Sequence, residues 1–275
     1  MRGYTQKTKQ IYKIKKNKII ILAILLSFII IQIIDIKHNN KNLTPKISIF
    51  LPIYNKAMFL DRSIRSIQIQ SLRNIEIIAV NDCSEDNSLE VLIKMAKNDS
   101  RIKIVNNNRN RGLLYSRAMG ILNSKGEYIM NLDPDDELEG PDNLEYLYKK
   151  ANILQVDMIS FGFIRKNRLK SDKFTLCSNF NKIYLQPEIF DYGNKNNDYI
   201  IWNKLVKKEI FKKAYLLFKK QIYKEKWNYG EDEIWSSLIY KHSNSMICVE
   251  KTIYIYYINN NSLNRNKYIL FILKI

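Results

Sequence analysis

Residues 47–88 read ISIFLPIYNKAMFLDRSIRSIQIQSLRNIEIIAVNDCSEDNS, and this stretch predicts the fold of the chain. Its two apolar runs, 47–51 and 75–80, have the length and composition of buried strands. Between them, apolar residues at 60, 64 and 67 recur with the spacing of an amphipathic helix over 59–70. A strand, a helix and a second strand in this order predict two parallel strands joined by a helix.

The same alternation continues along the chain. Further helices are predicted at 88–96 and 113–122, and further strands at 102–105 and 128–132. The pattern predicts an α/β, Rossmann-like fold, with a mostly parallel sheet flanked by helices. Sheets of this kind bind their ligands beyond the carboxyl ends of the strands, so a functional site is expected there.

Polar residues follow three of the predicted strands. The first strand leads into Tyr54 and Asn55, the second into Asp82, and the fourth into the run Asp133-Pro-Asp-Asp. The carboxylates of such a run repel one another unless a cation lies among them, and hard oxygen ligands suit Mg²⁺ or Mn²⁺. The run is also good turn chemistry, so an ordinary turn remains the alternative interpretation.

Six segments, taken in their order, resemble the family 2 glycosyltransferases, which have the GT-A fold. They are ISIFLPIYN (47–55), IEIIAVNDCSEDNS (75–88), NRGLLYSRAMG (110–120), SKGEYIMNLDPDDEL (124–138), WNKL (202–205) and YGEDE (229–233). The resemblance implies inverting transfer of a sugar from a nucleotide-sugar donor, expected to be a UDP-sugar, with Mn²⁺ or Mg²⁺ as cofactor. The acceptor would be a hydroxyl of a glycan, glycoprotein or glycolipid.

The resemblance also implies which residues bind the nucleotide. Tyr54 would pack on the base, close to Pro52, and Asp82 would hydrogen-bond the base. Arg117 matches the family's arginine and would lie near the nucleotide. Asp133 matches the first acid of the family's DxD motif and would contact either the ribose or the metal.

Metal binding and catalysis would fall to the remaining acids. Asp135 is the second acid of the DxD motif. Of Asp133 and Asp135, one would contact the ribose and the other would bind the metal. Asp136 extends the motif and is an alternative metal ligand. Asp232 matches the acid of the family's ED motif and would be the general base, and Glu231 remains an alternative.

Three residues depart from the family pattern near this predicted site: Cys83, Pro134 between the two DxD acids, and Ala118 after the arginine. Cys83 stands where the family usually has glycine, so the turn after the second strand is expected to be reshaped. Because the sequence places no basic residue beside it, Cys83 is expected to be a buried, inert thiol.

Residues 19–34, IIILAILLSFIIIQII, predict a membrane anchor, because a helix of this stretch is about 24 Å long and almost entirely apolar. We therefore expect a basic cytosolic tail at 1–18, a transmembrane helix at 19–36 and a stalk at 37–46. Seven basic and no acidic residues precede the apolar run, which favours a type II protein with its domain in the lumen of the endoplasmic reticulum or Golgi. A cleaved signal peptide and a buried core helix are the alternatives.

The predicted domain, 47–275, divides into a donor-binding half at 47–140 and an acceptor-binding half at 141–275. The second half shows a strand at 156–163, helices at 208–216 and 234–240, and a loop-rich stretch at 183–201. Trp202 and Trp227 are candidates for stacking on sugars, and core aromatics are the alternative interpretation.

Composition narrows the classes of function. The 275 residues are 46% hydrophobic, with three cysteines and two histidines, which excludes a disordered chain, a disulfide scaffold and a histidine-rich metal site. The formal charge of +18 suits anionic partners, but a solvated basic surface is the favoured interpretation. No nucleic-acid motif is present, so nucleic acid is not an expected partner. A catalytically silent glycan-binding protein and a transferase acting on a lipid phosphate remain as rivals.

Overall fold

The computed structural model describes residues 26, 27, 30, 44–167, 169–175, 179–196, 198–224, 226, 228 and 230–258. The chain divides into two compact units, Met1–Thr44 and Pro45–Ile275. Leu26, Ser27 and Ile30 of the first unit are helical. The predicted tail at 1–18 and nearly all of the predicted anchor and stalk lie outside the described residues. Within the described part of the chain, no helix is both long and apolar enough to span a bilayer.

The second unit begins with the predicted alternation of strands and helices. Its first four strands are β1 (Ile47–Ile53), β2 (Ile75–Asn81), β3 (Ile102–Asn106) and β4 (Tyr128–Asn131). The helices between them are α1 (Ala57–Gln68), α2 (Ser88–Asn98) and α3 (Leu113–Asn123).

The rest of the unit mixes short strands with helices. Its strands are β5 (Glu137–Leu138), β6 (Met158–Lys166), β7 (Ser171–Phe174), β8 (Ile183–Leu185), β9 (Lys204–Lys207) and β10 (Ser245–Tyr257). Its helices are α4 (Asn143–Leu154), α5 (Glu188–Asn196), α6 (Lys208–Lys224) and α7 (Glu231–His242).

The described strands form one sheet in the order β3-β2-β1-β4-β9-β6-β10-β5, with β7 beside β6 and β8 beside β10. The strands β1 to β4 are all parallel, as predicted, and β6 is parallel to β10. β9 is antiparallel to both of its neighbours, β4 and β6. The parallel part therefore collects the carboxyl ends of β1, β2 and β4 at one edge.

Helices cover both faces of this sheet. The side chains of Ile49 and Leu51 join a hydrophobic cluster with α1, α2 and α4, whereas Phe50 joins a second cluster with α3, α5, α6 and α7. Both faces of β1 are thus buried, which explains its continuous apolar run. The approach of α3 to β1 is close: a Cβ on Gly120 would lie 2.7 Å from the Phe50 ring.

The expectation of a loop-rich stretch at 183–201 is wrong for most of its length. The strand β8 and the helix α5 occupy Ile183–Leu185 and Glu188–Asn196. Ile189 and Tyr192, three residues apart, are the buried side of α5. Such a short apolar repeat among polar residues is too weak a helix signal to recognise in sequence.

Candidate active site

The loops after β1, β2 and β4 meet at one edge of the sheet, as the parallel topology requires. Asn55, after β1, binds the loop after β2: its Oδ1 accepts a hydrogen bond from the backbone of Glu85 at 2.8 Å, and its backbone N donates to Ser84 Oγ at 3.1 Å. Lys56 reaches the loop after β4, with its Nζ 2.6 Å from Asp135 Oδ2. Three segments far apart in sequence therefore line one site.

Arg117 of α3 lies at the centre of this site. Its guanidinium is buried, and Nη1 donates to Glu231 Oε1 at 3.0 Å and to Asp232 Oδ1. Nη2 lies 3.3 Å from Asp133 Oδ1. Burial alone would lower the pKa of Arg117, but the three carboxylates outweigh it and hold that pKa above its ordinary value. One buried cation thus draws together acids from the β4 loop and from α7.

Glu231 and Asp232 are the first two residues of α7, after Gly230 in a left-handed conformation (φ 74°). The Glu231 side chain is 7% exposed and that of Asp232 is 24% exposed. Burial raises the pKa of Glu231, against the opposing charge of Arg117. Of the two acids, Asp232 is therefore the one whose carboxylate is more accessible from the site.

Asp136 does not join the other acids of its run. It is buried; its Oδ2 accepts a hydrogen bond from Tyr254 Oη at 2.7 Å, and its Oδ1 accepts one from the Tyr257 backbone at 2.8 Å. Burial raises its pKa well above the ordinary value, and the charges of Asp133 and Asp135 add to this. Both carboxylate oxygens of Asp136 thus hold the loop against β10, which leaves Asp133 and Asp135 as the candidate metal ligands.

Asp82 shapes the loop that leads into α3. It is buried, and its carboxylate accepts hydrogen bonds from Asn107 Nδ2 at 2.8 Å and from the backbones of Arg111 at 2.9 Å and Gly112 at 2.8 Å. Gly112 has a φ of 89°, which favours glycine. Asp82 thus positions the start of the helix that carries Arg117, and its contact with a base stays a prediction.

The other residues expected to bind the nucleotide lie in contrasting surroundings. Tyr54 is 39% exposed at the edge of the sheet, with its Oη 3.4 Å from Glu85 Oε1. Pro52 lies inside β1, paired with Val80, and is buried. The expectation of a buried Cys83 is wrong: this thiol is exposed, and its φ of 58° explains why glycine suits the position.

Two basic residues that sequence reasoning missed surround Asp135. Lys56 contacts its carboxylate, and Arg62 of α1 donates to its backbone oxygen. The Arg62 guanidinium also lies over the Tyr257 ring, 3.7 Å from the ring centroid. The sequence could have indicated both residues. A helix that directly follows a strand places its first turns at the carboxyl end of that strand, where the site was expected.

Trp202 is a core aromatic. It is buried, and its ring stacks on that of Tyr254 with centroids 4.3 Å apart. It offers no face to a sugar. Trp227 lies outside the described residues.

The acids that would hold a divalent metal at this site are Asp133 and Asp135, with a phosphate group completing its ligands. Among the described residues, no group of three or more histidine, cysteine, aspartate or glutamate side chains could hold an ion by itself. Asp133 and Asp135 remain partly exposed, at 22% and 23%. One or two carboxylates, completed by substrate phosphates, are the usual protein ligands of Mg²⁺.

Comparison with known proteins identifies the family of this chain. The model of the family described as Glycosyl transferase family 2 matches residues 48–214. An uncharacterized glycosyltransferase of Bacillus subtilis, EpsJ, is 30% identical over 82% of this chain and 64% of its own. The glycosyltransferase GlyA of Streptococcus pneumoniae is 30% identical over 80% of this chain and 32% of its own. The chain thus spans about two thirds and one third of these relatives.

A solved structure shares the fold. The crystal structure of Staphylococcus aureus TarS 1–349 in complex with UDP-GlcNAc matches with a TM-score of 0.62 and 19% identity. The match covers 79% of this chain and 60% of that chain.

Proposed function

The chain belongs to glycosyl transferase family 2, and we propose that it transfers a sugar from a nucleoside diphosphate-sugar to an acceptor hydroxyl, with inversion at the anomeric carbon. A UDP-sugar is the proposed donor, and a glycan, glycoprotein or glycolipid the proposed acceptor. The observation that carries the proposal is the buried Arg117, which brings Asp232, Glu231 and Asp133 together beside the carboxyl ends of β1, β2 and β4.

Asp232 is the proposed general base. An inverting displacement needs a group that takes the proton from the attacking hydroxyl, and a positioned carboxylate can do so. The Arg117 guanidinium orients this carboxylate without enclosing it, because the Asp232 side chain stays 24% exposed. Glu231 is more deeply buried, which supports a role in holding Arg117 rather than in meeting the acceptor.

Asp133 and Asp135 are the proposed ligands of Mn²⁺ or Mg²⁺. Three carboxylates share the charge of Arg117, so this part of the site attracts a further cation. A metal bound there would neutralise the charge that develops on the leaving diphosphate. Lys56, which contacts Asp135, is within reach to contribute positive charge on the same side. The exposed ring of Tyr54 supplies a flat surface for the base.

A donor panel tests the reaction. The full-length chain in detergent is given UDP-, GDP- and CMP-sugars with Mn²⁺, Mg²⁺ or chelator, and nucleotide release is measured. We expect release from one donor, and we expect chelator to abolish it. The Asp232→Asn variant should lose about 100-fold in rate or more but keep nucleotide affinity, since only the proton acceptor is removed.

Glu233→Gln is the matched control, because Glu233 is the next residue on α7 and belongs to none of the Arg117 contacts described. Wild-type rates in Asp232→Asn would remove Asp232 from the role of base. Nucleotide binding without turnover of any donor, with or without acceptor glycans, would favour the silent glycan-binding protein. Nucleotide release that continues in the presence of chelator would refute the proposed metal requirement.

We also propose that residues 19–36 anchor the chain in a membrane. The proposal rests on the apolar run and on the basic residues before it.

A further inference from the structure

The outer surface of α6 carries large apolar side chains where a globular protein normally has polar ones. Leu216 is 59% exposed, Leu217 58% and Tyr223 48%. The opposite side of the helix is fully used in the core, through Ile210, Phe211, Ala214, Phe218 and Ile222. Leu216 and Tyr223 are therefore not the remainder of an incompletely buried core stripe, whereas Leu217, seven residues after Ile210, lies at the edge of that stripe.

Their arrangement on the helix is regular. Leu216 and Tyr223 are seven residues apart, so they lie on one line along the helix, opposite the buried stripe. Exposed lysines flank this line on both sides, and together they form a surface that we call the α6 outer face: Lys212, Lys213, Leu216, Lys219, Lys220 and Tyr223. Over its whole length, α6 has six lysines and one glutamate.

Apolar groups ringed by lysines match the chemistry of one kind of surface. In a helix lying at a bilayer interface, leucine and tyrosine enter the boundary between head groups and acyl chains. The lysine stems extend along this apolar surface while the ammonium groups reach the lipid phosphates. A second copy of the chain fits less well, because its own lysines would face these lysines. We propose that the α6 outer face docks on a negatively charged lipid bilayer.

Docking there would bring the rim of the active site close to the lipid. The Tyr223 ring makes an edge contact with Tyr115 of α3, with centroids 5.5 Å apart. The Tyr223 backbone oxygen lies 3.4 Å from Nη2 of Arg111, whose own backbone N binds Asp82. The membrane contact and the loop shaped by Asp82 are therefore neighbours. The docking itself does not depend on the proposed reaction.

Cysteine labelling on the full-length chain tests the proposal without using activity. Leu216→Cys is reconstituted into zwitterionic vesicles, into vesicles with negatively charged lipid, and into detergent. Reaction with a water-soluble maleimide is then measured by mass spectrometry of the peptide that contains residue 216. The matched control is Ile153→Cys on α4, which is 76% exposed and lies on the opposite face of the sheet. It corrects for vesicle orientation and for access of the reagent.

We expect residue 216 to react about tenfold more slowly than residue 153 on negatively charged vesicles only. Replacing the four lysines of the α6 outer face with glutamine should restore the reaction, whereas Lys149→Gln with Lys150→Gln on α4 should not. Equal rates in all three media would overturn the proposal. Slow reaction already in detergent would also overturn it, since protein then covers the face. Equal slowing on zwitterionic vesicles would refute negatively charged lipid as the partner.

Discussion

The most completely buried ion pair among the described residues joins Lys204 to Asp198, and both side chains are 0% exposed. The Lys204 Nζ donates to Asp198 Oδ1 at 2.8 Å, to Asn203 Oδ1 at 2.7 Å and to the Ile200 backbone oxygen. Tyr240 Oη donates to the other oxygen of Asp198 at 2.5 Å. Because Tyr240 belongs to α7, this network ties the loop before β9 to the helix that carries Asp232.

Removing the Lys204 ammonium group should lower the stability of the folded protein. Lys204→Met leaves Asp198 buried with Tyr240 and Asn203 as polar partners but no cation, and we expect a loss of about 3–5 kcal/mol in the free energy of unfolding. Adding Asp198→Asn should recover most of that loss, because the uncompensated charge is gone. Urea unfolding followed by circular dichroism measures both variants.

The control for this prediction lies three residues further along the chain. Lys207 pairs with Asp157 at 2.9 Å, but its side chain is 27% exposed. Lys207→Met should cost about 1 kcal/mol or less, as is usual for pairs near the surface. An equal cost for Lys204→Met and Lys207→Met would mean that burial of the Lys204 pair does not dominate its energetics.

At the residue scale, sequence reasoning predicted which acids lie near one another better than it predicted where each side chain points. Asp133, Asp232 and Glu231 do meet at Arg117, because order along the chain and strand topology determine that encounter. Asp136 turns inward because Tyr254 and Tyr257, more than one hundred residues later, offer it hydrogen bonds. No local pattern around Asp136 contains this information.

At the element scale, Asp99 joins the ends of three elements. Its carboxylate accepts hydrogen bonds from Arg101 Nη2 at 2.8 Å and Nε at 2.9 Å, just before β3, and from Gln68 Nε2 at 3.0 Å, at the end of α1. The residue itself follows the last turn of α2. The hydrogen bonds from Arg101 lower the pKa of Asp99 to about 2.

Asp99→Asn should lower the free energy of unfolding by about 1 kcal/mol at pH 7, since the charged acceptor is lost. The folded protein keeps this carboxylate charged at pH values where the unfolded chain, with a pKa of about 3.9, takes up a proton. The contribution is therefore complete above about pH 4 and disappears as the pH falls towards 2. Urea unfolding of both proteins between pH 7 and 3 measures the difference.

Asp61→Asn serves as the exposed comparison, because Asp61 pairs with Arg65 within α1 and its side chain is 65% exposed. That change should cost a few tenths of a kcal/mol. A difference between wild type and Asp99→Asn that stays constant down to pH 3 would contradict the role given to the ionised carboxylate.

Elements were predictable where their apolar pattern was strong. The strands β1 and β2 and the helix α1 between them follow from continuous or periodic apolar residues. The strand β9 was missed because its four residues, Lys204–Lys207, begin and end with lysine. It is defined by pairing with β4 and β6 instead, and Lys204 is buried there only because Asp198 compensates its charge.

At the scale of the whole molecule, the chain combines a compact unit at Pro45–Ile275 with a separate unit at Met1–Thr44. The side chains of Leu26 and Ile30, one helical turn apart in the first unit, are 52% and 55% exposed. Apolar side chains that are exposed on a helix suit contact with lipid. If the anchor is correct, the full-length chain should stay in the membrane fraction after extraction with alkaline carbonate.

Leu26→Lys with Ile30→Lys should release the chain into the carbonate supernatant, since each lysine costs about 2.5–3.5 kcal/mol near the centre of a transmembrane helix. Leu26→Phe with Ile30→Phe keeps the helix apolar and should leave the chain in the membrane. Alkaline carbonate releases proteins that are bound only at the membrane surface, as through the α6 outer face. The experiment therefore distinguishes the anchor from this docking. Release of the wild-type chain into the carbonate supernatant would refute the anchor. If the mass of the mature chain is lower by that of residues 1 to about 40, the segment is a cleaved signal peptide instead.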